Sequence, residues 1–288
     1  MVKYQNRMYV LFIVPAVVVT VVCLSFPLAK GIRMSFTNLD FLKNTNDYVG
    51  FVNYIRALQD PEFYQALLRN VIYVIVVVIF NFFLGFGMAL VCNERFRGNR
   101  ILRATITLPM LLIPTAAAVL WRFLYNFDIG LINKLLSFFR LGSVNWLGSA
   151  NFSLMSIIIT DIWAWTPWMF LILLAGLEGL PTEPIEAAKI DRASGFALLR
   201  LVVVPMMRPV TRVAVSLKAI ETFRTFDYVW VMSRGGPGSS SDILSTFVYK
   251  QAFKNLQYGY SSALSLLIMV IMVAMSMLIL RNLILKQD

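Results

Sequence analysis

The stretch EAAKIDRASGFALLRLVVVPMMRP, Glu186 to Pro209, decides how the rest of the chain is read. It carries two acidic and four basic residues and closes on prolines, within an otherwise oily sequence. Of the 288 residues, 59% are hydrophobic and 14% are charged, whereas soluble domains hold about a quarter charged residues. With a mean hydropathy of +0.72, this is the profile of a polytopic membrane protein. A charged segment in such a chain belongs outside the hydrocarbon. The stretch therefore reads as a water-facing loop, and the apolar runs on either side of it read as spans.

A spanning helix needs about 20 mostly apolar residues. Six candidates meet this, near 9–28, 70–92, 104–125, 154–175, 210–232 and 261–280. The expected fold is all-α, a single transmembrane domain over 1–288 with six helices and a further short helix in the loop before span five. Span five is the least hydrophobic, since it holds Lys218, Glu221, Arg224 and Asp227. Span one is read as a true helix rather than a signal peptide. Its apolar run is long, and Pro27 stands where cleavage after Ala29 needs a small residue. Basic residues set the orientation. They are densest in Lys3 and Arg7, in Arg95, Arg97, Arg100 and Arg103, in Lys189, Arg192, Arg200, Arg208 and Arg212, and in Arg281 and Lys286. That pattern puts both termini and the opening stretch in the cytoplasm. The formal charge of +11 is then a topology signal rather than a nucleic-acid footprint.

Several chemistries are excluded. The chain has no histidine, so His-based acid–base work, His triads and His metal sites are ruled out. No Gly-Lys dipeptide occurs, hence no Walker A loop. If ATP drives this protein, another chain hydrolyses it. Cys23 and Cys92 lie far apart in or beside apolar runs and read as packing residues rather than a disulfide.

Ionisable groups at membrane depth face a bundle interior or a water-filled cavity. Span four carries DIWAWTPW, in which Asp161, Trp165 and Trp168 follow i, i+4, i+7. Span five carries KAIETFRT, in which Lys218, Glu221, Thr222 and Thr225 follow i, i+3, i+4, i+7. On helices these are two polar stripes. Aromatic faces stack on the C–H surface of a sugar while acids, amines and hydroxyls bond its OH groups, so facing stripes suit a polyhydroxylated solute. The competing reading is a neutralised Lys218–Glu221 pair with packed tryptophans. Arg224 and Asp227 read as an i, i+3 structural pair. Pro109 and Pro114 bend span three, and Gly85 with Ala89 offers a small-residue packing face in span two. Asp60 and Pro61 mark a helix start that runs into span two.

In the opening stretch, Thr182 is a candidate cap with Glu183 and Glu186 in the first turn. Ser194-Gly195 breaks the helix, and a second helix begins at Phe196, ended or kinked by Pro205 and Pro209. Ile185 and Ala188 supply a small apolar docking surface.

Glu186-Ala187-Ala188, Asp191 and Val202–Pro205 resemble the EAA motif of permease subunits of bacterial ABC importers. GFVNYIRALQDPEFYQAL, FRGNRILRATITLPMLLIP, DIWAWTPWMFLILLAGLEGLP and FDYVWVMSRGGPG resemble the maltose and glycerol-phosphate branch, in order along nearly the whole chain. The resemblance implies the type I importer permease fold in the bacterial inner membrane. It implies a second permease as heterodimer partner, two ATPase subunits that bind ATP and Mg, and an extracytoplasmic solute-binding protein. No cofactor is expected in this chain. It implies that Glu186, Ala187, Ala188, Asp191, Arg192 and Gly195, within a coupling region 182–209, seat in an ATPase cleft. It also implies that Asp161, Ala164, Trp165, Trp168, Lys218, Glu221, Thr222 and Thr225 meet the solute, a sugar or sugar derivative. Lys218 leans that expectation slightly toward an anionic one. Arg192 stands where the motif usually has glycine and is read as an ordinary helical residue that pairs with an acid on the ATPase. The rival function is an ion-coupled secondary transporter using Asp161, Glu221 and Lys218; a third is a structural membrane scaffold.

Overall fold

The computed structural model describes residues 2–94, 96–193 and 195–284, with side chains described over 14–94, 96–193 and 195–277. Arg95, Ser194 and Lys286 therefore lie outside the described residues, as do the side chains of Lys3, Arg7 and Arg281. By internal contacts the chain forms two compact units, Met1–Phe63 with Val248–Ile271, and Tyr64–Phe247 with Met272–Asp288.

In the first unit, α1 (Val2–Ser35) ends beside α2 (Val52–Gln59). The joint is polar and fully satisfied. The Ser35 hydroxyl lies 2.7 Å from that of Tyr54, and Asn53 donates to the carbonyls of Ser35 and Thr37. The connecting loop folds back on itself through Thr37–Tyr48 and Asp40–Thr45 bridges. Asp60 caps α3 (Pro61–Asn93) as its sequence indicates, accepting from the Glu62 N–H at 2.9 Å. Its other oxygen accepts from Tyr260 at 2.6 Å, and the Arg56 guanidinium lies 4.0 Å from the centroid of the same tyrosine ring.

The second unit continues through α4 (Asn99–Thr107), a 3-10 turn at Leu108–Leu111 and α5 (Pro114–Leu124). After α6 (Leu131–Phe138) come α7 (Ser153–Glu178), α8 (Glu183–Ile190) and α9 (Phe196–Leu198). A wider turn at Leu199–Val203 leads into α10 (Val204–Phe223) and α11 (Asp227–Met232). The chain closes with α12 (Leu244–Tyr249) and α13 (Tyr258–Ile284).

Val14–Ser35, Pro61–Asn93, Ser153–Glu178 and Tyr258–Met277 are long and apolar enough to cross a membrane. A fifth crossing is broken: the Asn99–Leu111 and Pro114–Leu124 segments bend by 96°. The expected continuous helix near 104–125 is thus two pieces. Proline explains this, because its ring drives the preceding residue out of the helical region, and Ile113 is extended at ψ 144. Helix α10 fails the same apolar test, since it spends its length on Arg208, Arg212, Lys218 and Glu221.

Helix α7 is the hub of this unit. One cluster joins its Ile157 and Ala164 to Tyr73, Ala117 and Val229, and another joins its Met169, Phe170 and Leu173 to Ala89 and Met207. Close approach to α3 depends on Gly85, where a Cβ would fall 3.0 Å from the Phe170 nitrogen and from Met169 Cγ. The small-residue face expected of Gly85 and Ala89 therefore packs on α7. Pro205 lies in the first turn of α10 and Pro209 inside it, and neither ends the helix. The Leu199–Val203 turn has i→i+5 spacing, which absorbs the amide that Pro205 cannot supply.

Candidate functional site

Asp161, on α7, is fully buried, and a buried carboxylate must be paired or hydrogen-bonded. It is both. Tyr73, reaching from α3, donates to its Oδ2 at 2.8 Å, and the Lys218 ammonium of α10 lies 3.3 Å from its Oδ1. Lys218 also bonds Glu221 Oε2 at 2.7 Å, one turn along its own helix. Its third side meets an aromatic face, 4.7 Å from the Trp165 ring centroid. The two stripes read from the spans do face each other, and α3 joins them through Tyr73.

The ammonium is therefore shared by two carboxylates and is not a free cation awaiting an anion. Only Glu221 of the triad is open, with its side chain 37% exposed. It lines a cavity of about 320 Å³ together with Pro114, Trp165, Arg224, Thr225, Phe226, Asp227 and Tyr228. Across the cluster and the cavity wall, two cations (Lys218, Arg224) stand against three carboxylates (Asp161, Glu221, Asp227).

The structure regroups part of the expected stripes. Helix α10 stops at Phe223, so Thr225 lies in a break and not one turn beyond Glu221 on the same helix. Even so, Thr225 lines the cavity. The break is held from outside: the Ser245 hydroxyl donates to the Thr225 carbonyl, and Asn70 approaches the Phe223 carbonyl at 3.5 Å. Thr222 is fully buried behind the wall, with a hydroxyl that has no partner among the described residues. Ala164 and Trp168 have packed neighbours. Ala164 belongs to the cluster around Tyr73, and Trp168 packs on the one around Met169 and Phe170. Arg224 and Asp227 form no i, i+3 pair. They flank the break on exposed positions, and no ion pair joins them among the described residues. Tyr73, Phe226 and Tyr228 escaped the sequence reading. Tyr73 was detectable only as a hydroxyl within an apolar run.

At the other end of α7, α8 follows the expected helix–turn–helix course. Thr182 occupies its cap position but makes no side-chain cap bond. Glu186, Ala187, Asp191, Arg192 and Gly195 are exposed, and Ala188 is half-buried. Ile185 turns inward instead, lining a space with Leu90, Leu177 and Val203. The outward apolar groups are Ile190 and Phe196, 82% and 73% exposed.

Arg192 is not a helical residue. Its φ is +60, and its N–H donates to the Lys189 carbonyl at 3.0 Å while that of Ala193 reaches Ala188 at 2.9 Å. These two bonds make a left-handed helix stop, the position glycine fills most easily. An L side chain there costs about 1–2 kcal/mol, while glycine costs about 0.5–1 kcal/mol of extra chain entropy. Arg192→Gly is therefore expected to raise stability by about 0.5–1 kcal/mol, read as a higher melting temperature of the purified protein. A lower one would mean that the side chain contributes more than its backbone strain costs.

Residues 81–286 match the family of binding-protein-dependent transport system inner membrane components. The chain belongs to that family. The permease is 34% identical to the trehalose/maltose transport system permease protein MalF of Thermococcus litoralis, over 97% of this chain and 95% of that one. It is 29% identical to the sulfoquinovosyl glycerol transport system permease protein SmoG of Agrobacterium fabrum, over 93% and 86% of the two chains. Its fold is that of a chain in a bacterial ABC transporter that imports the acidic polysaccharide alginate. That match has a TM-score of 0.87 over 99% of both chains, at 18% identity. As a component of this family, the permease resides in the inner membrane and works with a binding protein.

Proposed function

We infer that this permease is the transmembrane subunit of an ATP-driven importer that carries a sugar or sugar derivative inward. The observation that carries the reading is the cavity at the α10–α11 break. There the Trp165 ring, already met by the Lys218 ammonium, lines the wall with Tyr228 beside Glu221, Arg224, Thr225 and Asp227. Rings stack on sugar C–H surfaces while fixed charges and hydroxyls bond several OH groups at once. Kinship to a trehalose/maltose permease and to a sulfoquinovosyl glycerol permease supports that class. Asp161, Lys218 and Tyr73 hold the wall, and Trp165, Glu221 and Thr225 meet the solute. Any acidic group on the solute faces Arg224, because Lys218 is already shared by two carboxylates.

The working assembly in this reading contains a second permease, two ATPase subunits holding ATP and Mg, and a solute-binding protein outside the membrane. Helix α10 is span five and brings the spans to six, both termini are cytoplasmic, and α8 seats in an ATPase cleft through Glu186, Ala187, Ala188, Asp191, Arg192 and Gly195. The ion-coupled alternative is disfavoured, since the family depends on a binding protein. In proteoliposomes containing the full complex and solute-loaded binding protein, Trp165→Ala is expected to cut uptake about tenfold, the effect of about 1.4 kcal/mol. Thr225→Ala is expected to cut it less. Wild-type uptake by both variants would overturn the assignment of the cavity.

A further inference from the structure

Glu178 is the last residue of α7, at the negative end of the helix dipole, where a carboxylate is disfavoured. What holds it is Arg103 of α4, whose Nη1 lies 2.8 Å from Glu178 Oε1. The same guanidinium donates from Nη2 to the Cys92 carbonyl at 2.6 Å and from Nε to Asn99 Oδ1 at 3.1 Å. Asn99 in turn donates to the carbonyls of Cys92 and Glu94. One side chain thus gathers the last turn of α3, the first turn of α4 and the end of α7. Lys could not reproduce this fork of donors.

The position matters because of what lies on either side. Five residues beyond Glu178 the chain enters α8. In the other direction, α4 runs through the 3-10 turn to Leu112 and Ile113, both extended, and then to Pro114. Pro114 is the first residue of α5 and part of the cavity wall. A rigid element therefore leads from Arg103 to a two-residue flexure next to the cavity.

We propose that Arg103 is a positioning residue for transport. It clamps α4 to the end of α7, so that displacement of α8 moves α4 as one body and swings α5 at Leu112–Ile113, reshaping the cavity at Pro114. The proposal rests on the reading of α8 as the helix moved by the ATPase. An ion pair this exposed, with side chains 35% and 49% accessible, contributes little stability on its own. The loss should therefore appear in coupling rather than in assembly.

The test is uptake per ATP hydrolysed, measured in proteoliposomes holding the complete complex with solute-loaded binding protein. Arg103→Ala is expected to lower that ratio about fivefold or more, within the range for residues on a coupling path, at unchanged complex yield. Glu178→Gln keeps the Arg103 bonds to Cys92 and Asn99, and is expected to lower the ratio by a smaller factor. If Arg103→Ala does not assemble, Glu178→Gln decides alone. Wild-type ratios in the assembled variants overturn the clamp. Glu186→Lys in the same preparation separates the two levels. If it leaves the ratio intact, the reading of α8 fails; if it uncouples while the clamp variants do not, only the clamp fails.

Discussion

Lys218→Met is expected to destabilise the permease by about 3–5 kcal/mol, because removing one partner of a buried ion pair leaves an uncompensated charge. Asp161 is fully buried and would keep only the Tyr73 hydrogen bond, with Glu221 as a like-charged neighbour. Lys218→Met combined with Asp161→Asn removes the stranded charge. Glu221 can then turn to water, since its side chain is already 37% exposed. The double variant is therefore expected to recover most of the melting temperature lost by the single one. Equal melting temperatures for the two variants would show that the charges at α7 and α10 do not support each other. Uptake by the stable double variant then separates holding the fold from meeting the solute.

Glu186→Lys is expected to abolish binding-protein-stimulated ATP hydrolysis, a loss of tenfold or more for a reversed charge at a contact worth about 2–5 kcal/mol. Glu186 lies exposed in the first turn of α8, and in the proposed assembly its carboxylate meets a basic group in the ATPase cleft. A lysine there also opposes the helix dipole, so the isolated chain should lose a few tenths of a kcal/mol and still fold. Normal stimulated hydrolysis in the assembled variant would sink the coupling role of α8.

Much of this site was legible because membrane helices make spacing informative. Asp161 with Trp165, and Lys218 with Glu221, sit at helical intervals in apolar surroundings, and the structure brings the two sets together. What spacing could not show was where a helix stops without a breaker residue. Nothing in TFRTF (residues 222–226) announces the end of α10; the acceptors there are bonded by Ser245 and Asn70, which are distant in sequence. Trp168 shares a helical face with Asp161 but lies further along the axis, beside other neighbours, which spacing alone does not show. Tyr73 was missed because its partner is on another helix. Arg192 was misread because a left-handed residue other than glycine leaves no compositional trace.

The cavity has one property that side-chain identities do not convey. Its wall includes the first residue of α5, the residues just after α10 and the first residues of α11, so it is walled by helix ends as well as flanks. Main-chain amides and carbonyls at such ends have no partner within their own helix, and broken helices in transporters present these groups to cargo. Alanine scanning leaves main-chain atoms in place and so underweights them. In the proposed site, any main-chain atoms left open to the solute at these ends are also those whose positions change when either break flexes. Selectivity and gating are thus written in the same backbone, and altering one without the other requires substitutions outside the breaks.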